Sequence, residues 1–130
     1  MFCGGGGSSR GAVIAGAVPV AALDKWTLAT ETYKLNFRQA VTYCMNAATL
    51  SPRRILDEVG EIDLLLASPE CTSHSVAKGN KPRCENSRAT AFQVIRFAKV
   101  LKPRWIVVEN VIQMKRWHRF DEWIAKLRGP

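Results

Sequence analysis

The amino-acid sequence predicts an α/β fold built on a doubly wound, mostly parallel sheet. Two observations carry this expectation. Short apolar runs alternate along the whole chain with stretches whose apolar residues recur at helical spacing. The chemically distinctive residues then stand just after the apolar runs, at the carboxyl ends of the expected strands, where such a sheet places its ligand. At 130 residues the chain is long enough for one domain with a real core and too short for two.

Met1-Phe2-Cys3 is apolar, reads as a strand cut to three residues, and runs directly into Gly4-Gly5-Gly6-Gly7-Ser8-Ser9, which leads to a helix. Residues 17–23 read as a buried strand ending at Asp24, residues 27–36 as a helix and residues 40–44 as a strand. Ser51-Pro52 supplies a capping residue and a first-turn proline for a helix over residues 53–59, which Gly60 ends. Residues 62–67 form the clearest buried strand, and a polar, basic loop follows from Ser68 to about Glu85. Apolar positions at Ala91, Val94, Ile95, Ala98 and Leu101 predict a helix over 87–101, stopped by Lys102-Pro103. Residues 105–108 read as a strand, and Trp117, Phe120, Ile124 and Leu127 mark a last amphipathic helix. Strands alternating with helices predict a parallel sheet covered on both faces.

Hydrophobic content of 47% and charged content of 23% are those of an ordinary globular protein. No apolar run reaches the roughly 18 residues of a membrane span, and no basic region followed by an apolar stretch opens the chain, so no secretory signal is expected. Cysteines at 3, 44, 71 and 84 form no CxxC pair and are expected to be free thiols in the cytoplasm. The net charge of +8 is unevenly placed. Residues 1–73 carry six Lys or Arg against seven Asp or Glu, whereas residues 74–104 carry eight basic residues against Glu85 alone. A concentrated basic segment beside a neutral half is the footprint of a polyanion binder, although a solvated basic face would look the same.

Glycines between a strand and a helix let the backbone turn tightly and approach a ligand, but a flexible leader would also be glycine-rich. Asp24, at the end of the next strand, is placed to accept hydrogen bonds from ribose hydroxyls, or simply to cap the helix that follows. Cys71, in Ser68-Pro69-Glu70-Cys71-Thr72-Ser73-His74-Ser75, follows a buried strand. Positive charge nearby would lower its thiol pKa from ~8.5 and make it a nucleophile; a plain structural cysteine is the bland alternative. Zinc ligation by Cys71 and His74 with Cys84 and His118 matches no common ligand spacing, and no metal is expected. Glu109-Asn110 ends the last strand, where a carboxylate directed into the same crevice suits proton donation or recognition of a base edge.

Taken in order, these segments resemble the DNA (cytosine-5)-methyltransferase family. Phe2, Gly4, Gly6, Gly7, Gly11, Ala15 and Gly16 fall in register with that family's first motif, F-x-G-x-G-G-x-x-x-G-x-x-x-A-G. Asp24, Tyr33, Asn36 and Phe37 match an acid followed by a Y-x-x-N-F-like ending. Residues 68–75 answer the Pro-Cys motif, Asn86-Ser87-Arg88 an Asp-x-Arg-like motif, and Glu109-Asn110-Val111 is the Glu-Asn-Val motif. The resemblance implies the Rossmann-like class I S-adenosylmethionine-dependent methyltransferase fold, incomplete at the C-terminus, and methyl transfer to carbon 5 of cytosine in DNA. Cys71 and Glu109 would be the catalytic residues. Phe2, Gly4, Gly6, Gly7, Asp24, Lys25 and Pro69 would bind S-adenosylmethionine, with Asn46 nearest to the position of an adenine contact. Ser75, Lys78, Lys81, Arg83 and Arg88 would contact double-stranded DNA, which fits the basic segment.

Two departures from the family carry consequences. Glu70 stands before the nucleophile where the family has proline, and a carboxylate beside a thiol raises its pKa unless it is paired or points away. The family also continues beyond the equivalent of Pro130 with further strands, an Arg-x-Arg motif, a target-recognition domain and a last helix that completes the cofactor pocket. Residues 1–130 are thus expected to be the N-terminal part of a catalytic domain, inactive alone. The alternative is a non-catalytic fragment that binds nucleic acid or complements a second chain or copy. The expected setting is the cytoplasm of a bacterium or phage-infected cell, on the nucleoid.

Overall fold

The computed structural model describes residues 1–71 and 84–129. In chain order its elements are α1 (Gly7–Ile14), β1 (Ala21–Asp24), α2 (Thr27–Asn36), β2 (Val41–Cys44), α3 (Pro52–Val59), β3 (Leu64–Ala67), α4 (Glu85–Arg88), α5 (Ala91–Leu101), β4 (Trp105–Val108), a 3-10 turn (Ile112–Arg116) and α6 (Phe120–Arg128). The expected helix over 27–36 and strand over 105–108 are found at those bounds.

Both strand pairs are parallel: β1 pairs with β2, Ala21 opposite Val41, and β3 pairs with β4, Leu64 opposite Trp105. The predicted first strand, Met1–Cys3, is not a strand in its own right but joins the two pairs. The Met1 amine donates to the Leu66 carbonyl at 2.6 Å, and the Ser68 N–H donates to the Met1 carbonyl at 3.3 Å. On the other side the Cys3 N–H donates to the Leu23 carbonyl at 3.1 Å. The spatial order is therefore β2, β1, Met1–Cys3, β3, β4. The chain winds outward first to one side of Met1–Cys3 and then to the other, so the switch point lies beside this segment.

Other elements differ in detail: the strand over 62–67 begins only at Leu64, the strand over 40–44 at Val41, and Trp117 lies before the last helix, which starts at Phe120. The strand over 17–23 shortens to Ala21–Asp24, with Pro19, which has no N–H to donate, in the part that is lost. The helix over 87–101 breaks into α4 and α5, where the Thr90 hydroxyl bonds the Ser87 carbonyl at 2.7 Å. Ser51 does stand at the N-cap of α3, but its side chain makes no capping hydrogen bond; Pro52 and the C-terminal Gly60, at φ 79°, set the ends of that helix.

The main core lies on one face of the sheet, where Leu23, Tyr43, Leu65 and Ala67 pack with Ile55 of α3 and Val94, Phe97 and Leu101 of α5. A second cluster on α5 and α6 buries Trp117 and Trp123. The opposite face is covered by α1 and α2 through Ala22, Tyr33, Phe37 and Val13. That cover stops short of β4. Side chains alternate between faces along a strand. Ile106 and Val108 reach the main core, while Trp105 is 68% and Val107 53% exposed. Among the described residues the sheet is thus closed on both faces only in its β1–β2 half.

Candidate functional site

The glycine-rich turn is shaped by α2. Gly4 and Gly6 have φ of 51° and 100°, the left-handed region that suits glycine. A Cβ on Gly6 would run into the Phe37 ring and stand 3.2 Å from Tyr33 Cδ2. The Tyr33 hydroxyl donates to Ser9 Oγ at 2.8 Å, and Asn36 Nδ2 donates to the Gly5 carbonyl at 2.8 Å. Tyr33, Asn36 and Phe37 therefore form one brace, which gives the Y-x-x-N-F ending a physical role. Gly7 opens α1 with nothing near the place of a Cβ.

Asp24 ties this turn to β1. One carboxylate oxygen accepts the Gly4 N–H at 2.9 Å and the other accepts the Trp26 N–H at 3.0 Å. The sequence left a helix-capping role open beside the ligand role, but the N-cap of α2 is Trp26, the helix has no side-chain capping bond, and the Asp24–Trp26 bond closes a local turn before it.

On the far side of the switch point, β3 delivers Ser68-Pro69-Glu70-Cys71. Asn110 Nδ2 donates to the Pro69 carbonyl at 2.9 Å, while Asn110 Oδ1 accepts the Val111 N–H at 2.8 Å. Glu70 is not left beside the thiol unpaired: it forms a hydrogen-bonded ion pair with Lys25. Partial burial works to raise the Glu70 carboxyl, but the hydrogen bond and charge of Lys25, with a further contribution from Ser87, outweigh it and hold the carboxyl below its usual range. The same contact raises the Lys25 pKa. Cys71 is exposed, as is Glu109, whose N–H donates to the Ala67 carbonyl at 3.0 Å. Cys71 and Glu109 thus stand at the ends of adjacent, hydrogen-bonded strands.

These loops enclose a cavity of about 170 Å³ at the carboxyl ends of the strands, lined by Phe2, Asp24, Lys25, Asn46, Glu70 and Thr90 among others. Asn46 spends its side-chain oxygen on the Ala48 N–H at 2.9 Å. A larger cavity of about 450 Å³ runs between β1 and β3 under α1, lined by Ala21, Leu64 and Leu66. It is mostly apolar and lies away from Cys71.

Of the expected site residues, Phe2, Asp24 and Lys25 line the small cavity, Gly4 is bonded to Asp24, and Gly6 completes the same turn. Pro69 is buried and held through its carbonyl. Arg88 is largely buried and pairs with Glu85 at 3.8 Å. Ser75, Lys78, Lys81 and Arg83 lie outside the described residues, as does His74. Among the described residues no cluster of His, Cys, Asp or Glu could hold a metal. Sequence reasoning missed Asn110 as the anchor of the Pro69 carbonyl, and it missed Thr90 and Gln93, which enter the cavity from the start of α5. Their only signal was position, just after β4 and at a helix start.

A parallel sheet with a glycine turn and an acid on one side of its switch point, and a cysteine loop on the other, defines a Rossmann-like α/β domain. The match to the C-5 cytosine-specific DNA methylase family runs over residues 1–129, and the chain belongs to that family. It is 29% identical over 112 residues to the type II methyltransferase M.DdeI of Desulfomicrobium norvegicum, covering 86% of this chain and 27% of that protein. It is 31% identical over 123 residues to M.HindV of Haemophilus influenzae, covering 91% of this chain and 38% of that protein. The solved structure of an E. coli prophage protein described as a DNA modification methyltransferase superposes with a TM-score of 0.82 at 22% identity, over 98% of this chain and 36% of that one. Spodoptera frugiperda DNMT2 superposes with a TM-score of 0.71 at 26% identity, over 98% and 39%. The fold is that of the DNA methyltransferases, and the chain spans about a quarter to two fifths of the length of these relatives.

Proposed function

We propose that this chain carries the cofactor- and nucleophile-bearing part of an enzyme that methylates carbon 5 of cytosine in double-stranded DNA. One observation carries the reading: the glycine turn, Asp24, the Cys71 loop and Glu109 each lie at or just after the carboxyl end of a strand on the same edge, with Asp24, Lys25 and Glu70 lining the small cavity there. The residues present fit S-adenosylmethionine, because Gly4 and Gly6 form a turn whose backbone is bare of side chains, tied through the Gly4 N–H to Asp24, which lines the small cavity. Phe2, Gly4, Gly6, Gly7, Asp24, Lys25 and Pro69 would hold it. When bound, it supplies an electrophilic methyl group.

In this reading the target base is extruded from the duplex, since carbon 5 is out of reach inside the stack. The Cys71 thiolate adds to carbon 6, forming a carbon–sulfur bond and pushing electron density to carbon 5. Glu109 contacts ring nitrogen 3 and the exocyclic amine, supporting the charge that develops on the ring. Once carbon 5 has gained the methyl group that the cofactor would supply, loss of the proton still on carbon 5 to a base restores the 5,6 double bond and expels the Cys71 thiolate. Ser75, Lys78, Lys81, Arg83 and Arg88 would supply phosphate contacts that position the duplex and carry no sequence information.

Activity would further require a complementary C-terminal portion, in the same chain or a second one, seated on the half of the sheet that α1 and α2 leave open. The exposed Trp105 and Val107 support this. No helix among the described residues is long and apolar enough to cross a membrane, and work on the nucleoid fits a DNA substrate.

Calorimetric titration with S-adenosylmethionine and S-adenosylhomocysteine tests the cofactor half of the reading. Binding is expected, and its loss in Asp24→Ala with folding retained would place the cofactor at this turn; no binding by the folded chain would mean the pocket needs the further portion. Cys71→Ser tests the catalytic half. It should abolish methyl transfer by a reconstituted enzyme and leave DNA binding intact; retained transfer would remove Cys71 from the mechanism.

A further inference from the structure

We propose that Lys25 and Glu70 are a positioning pair that holds the Cys71 loop and neutralises the carboxylate next to its thiol. The inference rests on the reading of Cys71 as the nucleophile. Glu70 and Cys71 are neighbours in the chain, so the direction of one backbone segment fixes both. That segment is held at two points: Asn110 takes the Pro69 carbonyl from the β4 side, and Lys25 takes the Glu70 carboxylate from the β1 side. Lys25 is itself set on a fixed base, since both oxygens of the preceding Asp24 are occupied by backbone N–H groups of Gly4 and Trp26.

The pair thus bridges the loops after β1 and β3 across Met1–Cys3, and both residues line the small cavity at the strand ends. It is a partly exposed contact, with Lys25 63% and Glu70 29% accessible, and pairs of this kind contribute little to stability. Its consequence is local. A free carboxylate beside a thiol disfavours the thiolate, and an ammonium bound to that carboxylate cancels much of the field. A side-chain bond to the neighbouring loop restrains the backbone just before the cysteine.

The test is peptide-resolved alkylation of Cys71 by iodoacetamide, at one mildly alkaline pH, on the full chain and on Lys25→Ala, Glu70→Ala, the double alanine variant and the charge swap Lys25→Glu/Glu70→Lys. Lys25→Ala leaves the Glu70 carboxylate without its ammonium partner and should slow Cys71 by about threefold. Glu70→Ala removes that carboxylate and should not slow it. The double alanine variant should return to within about twofold of the parent, and the swap should recover most of the loss. Mere loosening of the loop would move Cys71 in the same direction in both single variants. That result, or unchanged rates in every variant, overturns the proposal. Circular dichroism on each variant confirms that the fold is retained, and the charge swap serves as the check should one alanine variant fail to fold. Calorimetry with S-adenosylhomocysteine on the same proteins reports on cofactor binding separately, so absence of binding would mean that the pocket needs the further portion and would leave the alkylation result standing.

Discussion

Gly6 combines two constraints that are independent of each other: a φ of 100° and a Phe37 ring where a Cβ would have to go. An alanine there must adopt a left-handed backbone, costing roughly 1–2 kcal/mol, and displace a buried aromatic, costing about 1–3 kcal/mol more. Gly6→Ala should therefore destabilise the fold by roughly 2–5 kcal/mol and weaken cofactor binding. Gly7→Ala meets nothing within 4 Å and should change stability by less than about 1 kcal/mol. Urea unfolding of the two variants separates them, and equal losses would show that the turn does not depend on this contact. Four consecutive glycines announce a bare turn in the sequence. Which of them is irreplaceable is decided by Tyr33 and Phe37, residues that lie in another element and give no sign of it locally.

The same division between local and distant information runs through the helices and strands. Helix α2 and strand β4 were readable because each is specified by its own apolar spacing and its own stops. The break between α4 and α5 was not, because the apolar pattern continues across it and the interruption is a local switch to tighter backbone bonds, Thr90 N–H to the Ser87 carbonyl and Gln93 N–H to the Thr90 carbonyl. Contacts such as Lys25 with Glu70, 45 residues apart, or Asn110 with Pro69, 41 apart, leave no periodic trace at all. Helix α5 shows how such contacts shape the site. Arg96 donates to the carbonyls of Ala47 and Leu50, the latter at 2.9 Å, and to Gln93 Oε1 at 2.8 Å. It thereby fixes the loop that brings Asn46 to Ala48 to the small cavity. Arg96→Ala would leave two carbonyls without their donor, one of them on a residue only 1% exposed, for a loss of about 1–3 kcal/mol. Arg96→Lys should recover only part of this, since an ammonium lacks the fork that reaches all three acceptors at once. Thermal unfolding of both variants checks the order; a lysine as good as arginine would mean that charge alone, and not the fork, holds the loop.

Seen as a whole, the molecule has one finished half and one open half. Leu65, Ala67, Ile106 and Val108 reach the main core, so Leu64, Leu66, Trp105 and Val107 fall on the opposite face of the β3–β4 pair. Leu64 and Leu66 line the apolar cavity of about 450 Å³, and Trp105 and Val107 are exposed beside them in register. An apolar sheet face of this kind drives association with whatever polypeptide can cover it. Charge opposes this only in part: Lys102 and Arg104 precede β4, a common way of guarding a strand at the edge of a sheet. The purified chain should accordingly self-associate as its concentration rises. Trp105→Ser/Val107→Ser should remain at monomer mass over the same range with little change in unfolding midpoint, because neither side chain is buried in this structure. Sedimentation velocity distinguishes these outcomes. A chain that stays monomeric throughout would show that the open face is tolerated by water, and the double variant would then have nothing to correct. If instead the parent associates and the double variant does not, the same two substitutions should also weaken capture of a complementary C-terminal portion, because both partners would compete for one surface.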